Sequence, residues 1–260
     1  MIKYLASIGL LMGVAASPAI AQTCTGTCGT DTANGVVTAP PGGGEYRYVT
    51  TNGGVSGAGQ ISGVGGVNGS EYVTQSFSAS AGDVLDFDFN YVTSDGSGTY
   101  TDYSFAELLF GGAHAAWIFT ARTTPSGDTS PGFGLPANDA TLTPSSTPIV
   151  AGGPAWAELG GSSGLCYLGP SQGCGYTGWI NSQYTIGADG TYQLRFGVTN
   201  VGDAGYDSGL AFAGLALNDV PIDTGAVPEP ATWAMFLAGF GVAGMAVRRQ
   251  RRTRSADALA

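Results

Sequence analysis

From residue 45 to 222 the chain alternates apolar and polar residues at period two and shows almost no helical periodicity. The alternation is plainest over 83–91. There Leu85, Phe87, Phe89 and Tyr91 share one face and Asp86, Asp88 and Asn90 the other, as a half-buried antiparallel strand requires. Tyr192, Leu194, Phe196 and Val198 repeat it, with Gln193 and Arg195 turned outward. Further strands are expected over 46–51, 71–78, 100–110, 115–121, 179–186 and 210–218, separated by clusters of Gly, Asn, Asp, Ser and Pro. Many short strands in one run predict an all-β fold: one antiparallel β-sandwich, jelly-roll-like, over residues 45–222. Two irregular stretches interrupt it. Residues 53–69 hold eight glycines and predict a flexible loop or a poorly packed hairpin, and the Pro/Thr/Ser-rich excursion over 123–148 is the best candidate for a functional loop.

Charge narrows the function classes. Between Gln22 and Val227 three arginines (Arg47, Arg122, Arg195) face seventeen acids, a net of about −14 that the whole-chain value of −10 conceals behind a basic C-terminal cluster. Such a body does not bind phosphate backbones without regard to sequence, so no nucleic-acid partner is expected. A single His (His114) and no Lys after Lys3 exclude a multi-His zinc site and a Schiff-base lysine.

Several motifs match chemistry without its context. Gly160-Gly161-Ser162-Ser163-Gly164 fits the nucleophile elbow, but His114 precedes Ser162 and no helix is expected after it. Gly173, Gly175 and Gly178 fit the dinucleotide spacing yet run into a strand at Trp179, which reads as a turn. Asp86 and Asp88 stand about 6.6 Å apart by strand rise, near a glycosidase separation, but that coincidence is weak and alternating acids on a solvated face, partly offset by Arg195 if its strand is adjacent, are the better explanation. Glu107, Glu158 and Asp139 are no better distinguished. Asp203 and Asp207, with nearby carbonyls, are the candidate calcium ligands, and calcium is the one cofactor considered. Trp156, Tyr167, Tyr176 and Trp179 surround a cysteine loop and are candidate glycan-binding rings, with a plug at one end of the sandwich as the alternative.

Cys24 and Cys28 form one close pair, and Cys166 and Cys174 another. Local disulfides are the simplest reading in an oxidising compartment, although three pairings are formally available and a four-cysteine metal site is the alternative.

The ends carry address information. Residues 1–21 read as a signal peptide: Lys3, a short apolar run, then Ala19-Ile20-Ala21 as a small-x-small cleavage site, leaving Gln22 first and residues 22–44 as a Gly/Thr/Pro-rich segment. Near the other end, Pro228-Glu229-Pro230 precedes an uncharged apolar run over 231–247 and then Arg248, Arg249, Arg251 and Arg252. As a helix that run spans roughly 26 Å, enough for a single membrane span when Trp233 and snorkelling arginines extend it.

Pro228-Glu229-Pro230, Trp233-Ala234-Met235, Gly239-Phe240-Gly241 and the arginine cluster, in that order, resemble the PEP-CTERM sorting signal of exopolysaccharide-producing bacteria. The resemblance covers residues 227–254 and implies an exosortase-type membrane protease that recognises the Pro-Glu-Pro element. It divides the chain into signal peptide 1–21, N-terminal segment 22–44, sandwich 45–222, sorting signal 223–254 and tail 255–260. The body also resembles exported proteins of that kind through 91–96, 119–127, 173–179, 196–200 and 206–212. That likeness implies a sandwich with a surface role and supplies no catalytic residue. The expectation is a non-enzymatic protein using Sec-type export, anchored transiently in the inner membrane, then placed at the cell surface or in an extracellular polysaccharide or biofilm matrix. The alternatives are a carbohydrate-binding module and, third, a carboxylate-based glycoside hydrolase.

Overall fold

The computed structural model describes residues 21–96, 98–124, 127–169 and 173–222. The leader as far as Ile20, including Ala19, and the whole sorting segment, with Pro228, Glu229, Pro230, Trp233 and the arginines 248, 249, 251 and 252, lie outside them. Among the described residues no helix is long and apolar enough to cross a membrane.

In chain order the strands are β1 (Thr23–Thr25), β2 (Thr27–Asp31), β3 (Tyr46–Thr50), β4 (Val55–Ser56), β5 (Asn68–Val73), β6 (Phe77–Ala79), β7 (Val84–Thr93), β8 (Tyr103–Phe110) and β9 (Ala113–Ala121). Then come β10 (Thr141–Thr143), β11 (Val150–Ala151), a 3-10 segment (Ala157–Ser162), β12 (Gly175–Tyr176), β13 (Ile180–Thr185), β14 (Gly190–Thr199), β15 (Ser208–Leu217) and β16 (Val220–Pro221). One sheet runs β1-β5-β14-β8-β9 and the other β10-β13-β7-β15-β3-β2, every pairing antiparallel. Of the eight principal strands the first pairs with the last (β3, β15), the second with the seventh (β5, β14), the third with the sixth (β7, β13) and the fourth with the fifth (β8, β9). A long antiparallel ribbon rolled up in this order is a jelly roll.

The alternation builds the core directly. Leu85, Phe87, Phe89 and Tyr91 of β7 meet Leu194, Phe196 and Val198 of β14, all fully buried between the sheets. Phe89 stacks on Phe119 and Phe196 on Phe212, each pair spanning the two sheets at 3.8 Å between ring centroids. Such pairs add about 0.5–1.5 kcal/mol beyond their area burial.

The outward faces are not simply solvated. On the β7 sheet Asn90 and Val92 are fully buried and Asp88 nearly so; irregular segments lay a second apolar cluster over Val92, made of Val37, Trp156 and Leu159 with Tyr46 of β3 and Ala211 and Ala213 of β15, while Asn90 and Asp88 meet the polar side chains of Thr177 and Asn181. Trp156 lies on the backbone of β15, where a Cβ on Gly209 would come within 2.4 Å of its ring. On the other sheet Ile61 covers Tyr103 and Phe105.

Both irregular stretches differ from expectation. The glycine-rich 53–69 is pinned rather than loose: β4 pairs with β5, the Ile61 N–H donates to the Tyr103 hydroxyl at 2.9 Å, and that hydroxyl donates to the Gly65 carbonyl. Gly59, at φ +65°, has no room for a Cβ beside the Val198 carbonyl, so here glycine permits close approach instead of slack. The excursion over 123–148 seals a sheet edge. Asn138 and Asp139 accept the N–H groups of Thr120 and Trp117, and Arg122 N–H donates to the Thr129 carbonyl, so the free side of β9 is partnered.

The segment 22–44 supplies a strand to each sheet, β1 on β5 and β2 on β3. The Cys24–Cys28 disulfide closes the corner between them, and Cys166–Cys174 closes the second local loop, so the two close pairs are the observed pairings.

Candidate functional site

The ends of β7 and β14 and the starts of β8 and β15 meet at one tip of the sandwich, where Thr93 pairs with Ser208 and Thr199 with Tyr103. Residues 94–96, 98–102, 163–169, 173–174 and 200–207 come together there over a frame of buried polar groups. Asp207 is its hub. Its carboxylate accepts the hydroxyls of Thr51 at 2.9 Å and Ser162 at 3.0 Å, its N–H donates to Ser162 Oγ, and its carbonyl accepts Ser94 Oγ at 2.7 Å. Ser162, the serine of the elbow-like motif, is therefore a buried brace between two loops.

Asp102 is fully enclosed beside this hub. Its Oδ1 accepts the Val201 N–H at 2.9 Å and its Oδ2 lies 2.7 Å from Ser208 Oγ. Burial, first of all, pushes its carboxyl well above the usual range, reinforced by the nearby Asp95 and Asp203. Ser208 Oγ stands between Thr93 Oγ1 at 2.8 Å and Asp102 Oδ2 at 2.7 Å, and its one proton serves only one of them at a time.

Three tyrosines stand on this frame. Tyr167 lies 6.3 Å from Tyr100 at 83° and 5.1 Å from Tyr206 at 54°, ring to ring. Tyr100 and Tyr206 are 36% and 37% exposed, so about a third of each faces solvent. The Tyr167 N–H is fixed to the Ser94 carbonyl, and its loop is closed by Cys166–Cys174. Tyr206 and Leu168, the residue after Tyr167, hold left-handed φ values of 58° and 56°, conformations that bulky side chains adopt only when their surroundings impose them.

The four expected glycan-binding aromatics are thus divided. Trp156 is buried, its indole N–H donating to the Tyr46 hydroxyl at 3.0 Å. Tyr46 in turn sits 5.9 Å from Trp179, whose indole N–H donates to the Thr38 carbonyl. Tyr176 pairs with Val92 at the margin of the same outer cluster. Only Tyr167 joins the exposed group. Tyr100 and Tyr206 escaped sequence reasoning because they arrive from separate loops, although a lone aromatic inside Gly/Asp turn composition, as in Gly205-Tyr206-Asp207, was the available signal.

The remaining candidate residues are held in hydrogen bonds and ion pairs. Both Asp207 oxygens are occupied by hydroxyls and Asp203 Oδ1 accepts the Gly205 N–H; among the described residues no group of three or more His, Cys, Asp or Glu is arranged to hold a metal. Asn181 Nδ2 bridges Asp86 and Asp88 at 3.1 and 3.3 Å, and Gln183 caps Asp86 at 2.8 Å. Burial raises the Asp88 carboxyl above its ordinary value. Arg195 does not offset this pair: β14 lies in the other sheet, and its guanidinium binds Glu107 at 2.6 Å and Glu71 at 2.9 Å. Glu107 also holds His114 Nδ1 at 2.7 Å, with the imidazole 4.6 Å from the Trp117 ring. His114 borders a cavity of about 290 Å3 with Phe110, Tyr184 and Tyr192, at the end of the sandwich opposite Ser162.

No curated protein and no solved structure matches the chain. One family does: residues 226–252 match the PEP-CTERM protein-sorting motif. This chain therefore carries a PEP-CTERM sorting signal behind its jelly roll, which implies processing by exosortase-type machinery and an exported protein handled through the membrane to the cell surface.

Proposed function

We propose that this chain is a non-enzymatic protein of the cell surface or extracellular matrix, exported by Sec-type machinery and associated there with exopolysaccharide or biofilm. The carrying observation is the sorting motif at 226–252 placed directly after a self-contained sandwich. A non-enzymatic role is supported by the commitments of the reactive groups. Ser162 is spent on Asp207, Asp86 and Asp88 are capped by amides, and the lone imidazole sits at the far end, held by Glu107. A hydrolase reading would need carboxylates converging on one open cleft.

Intact mass of the protein recovered from its host, with and without thiol reduction and alkylation, tests the reading. A mass ending near 227–230 with two disulfides is expected. A mass that retains the arginine cluster would make this an ordinary anchored ectodomain and overturn the sorting reading. A second reading, a carbohydrate-binding module, is favoured by the exposed tyrosines at the tip.

A further inference from the structure

We infer that Tyr100, Tyr167 and Tyr206 form a binding cradle for a single chain of a neutral polysaccharide. The physiological part of this inference rests on the proposed placement in a polysaccharide matrix; the binding chemistry stands on the tip itself.

The rings come from three loops that share no strand, yet they meet edge to face and tilted, at 6.3 and 5.1 Å. A hydrophobic core would have enclosed them. Here two remain a third exposed while the polar frame that joins their loops, Asp207 with Ser162, Thr51 and Ser94, is hydrogen-bonded throughout. Left-handed Tyr206 and Leu168 indicate that the loops hold a set geometry against local preference, the arrangement expected where position matters. Aromatic faces stack on the C–H faces of pyranose rings, and phenolic hydroxyls at the rim serve the sugar hydroxyls.

Geometry and charge restrict the ligand. Rings inclined to one another at 83° and 54° share no single plane, which suits one flexible chain and does not match the flat face of a crystalline polymer. The body carries three arginines against seventeen acids, with Asp203 and Asp207 on the same loop as Tyr206, so a uronate or sulfate polymer is repelled.

The test is native affinity electrophoresis of the host-processed protein through gels holding soluble mixed-linkage glucan, galactomannan or xylan and, separately, polyanionic alginate. Retardation by at least one neutral polymer and none by alginate is expected. Tyr167→Ala and Tyr206→Asn should weaken it at least ten-fold, asparagine being compatible with the left-handed backbone. Tyr167→Phe, which keeps the stacking face, should retain most of it. Tyr100→Ala, at ordinary backbone geometry, serves if either variant fails to fold by its thermal midpoint. No retardation in any neutral gel, retardation by alginate alone, or binding unchanged in the folded alanine variants would overturn the cradle. None of these outcomes bears on the intact-mass test, so the two readings fail separately.

Discussion

Asp102 and Gly209 show how single residues set the terms at this tip and beneath its covering layer. Asp102 is raised in the folded state by burial, so it favours folding below the ordinary carboxylate range, and that contribution is lost as pH rises toward its elevated folded value. Over that interval the wild type should lose about 1.4 kcal/mol per pH unit relative to Asp102→Asn. Urea unfolding of the two proteins from pH 4 to 8 checks this, with midpoints converging at the acid end and the variant ahead at the alkaline end; parallel curves would refute a neutral Asp102. Asp31 and Asp83, held low chiefly by hydrogen bonds from Asn34 and the Ser80 backbone, act in the opposite sense in both proteins and cancel. Gly209 makes a steric prediction. A methyl there would drive into the Trp156 ring, so Gly209→Ala should cost about 1–3 kcal/mol and shift Trp156 fluorescence, whereas an unchanged spectrum would mean the ring does not lie on β15.

Strands were far more legible than the segments between them. Period two located β7 and β14 because their inward residues are all large and apolar, and the core formed on the faces it named. The same pattern misjudged the outward face of β7, where Asp88, Asn90 and Val92 are buried, Val92 beneath Val37, Trp156 and Leu159 from irregular segments whose apolar side chains follow no period. Composition misled in 53–69, where glycines that read as slack permit close packing, and in 123–148, which read as a functional loop and serves as an edge guard. The guard has its own consequence. Removing the acceptors with Asn138→Ala and Asp139→Ala should cost about 1 kcal/mol apiece and speed amide exchange at Thr120 and Trp117 by roughly ten-fold, with aggregation on warming as the free side of β9 becomes available. Unchanged exchange at both amides would show that the excursion shields nothing.

At the scale of the whole molecule, the sandwich class and the sorting motif were readable from sequence because one is repeated along the chain and the other is contiguous. Strand order and the tyrosine cradle were not, because each depends on residues more than sixty positions apart meeting in space. The jelly roll also has a direction. Strand β15 begins at the tyrosine tip and runs to the opposite end, where β16 turns back and Ile222, bonded to the Leu215 carbonyl, leads toward the sorting segment. The last described residue, Ile222, therefore lies at the pole of the sandwich away from the tyrosines, and whatever binds at the tip does so clear of the point where the chain leaves the sheet.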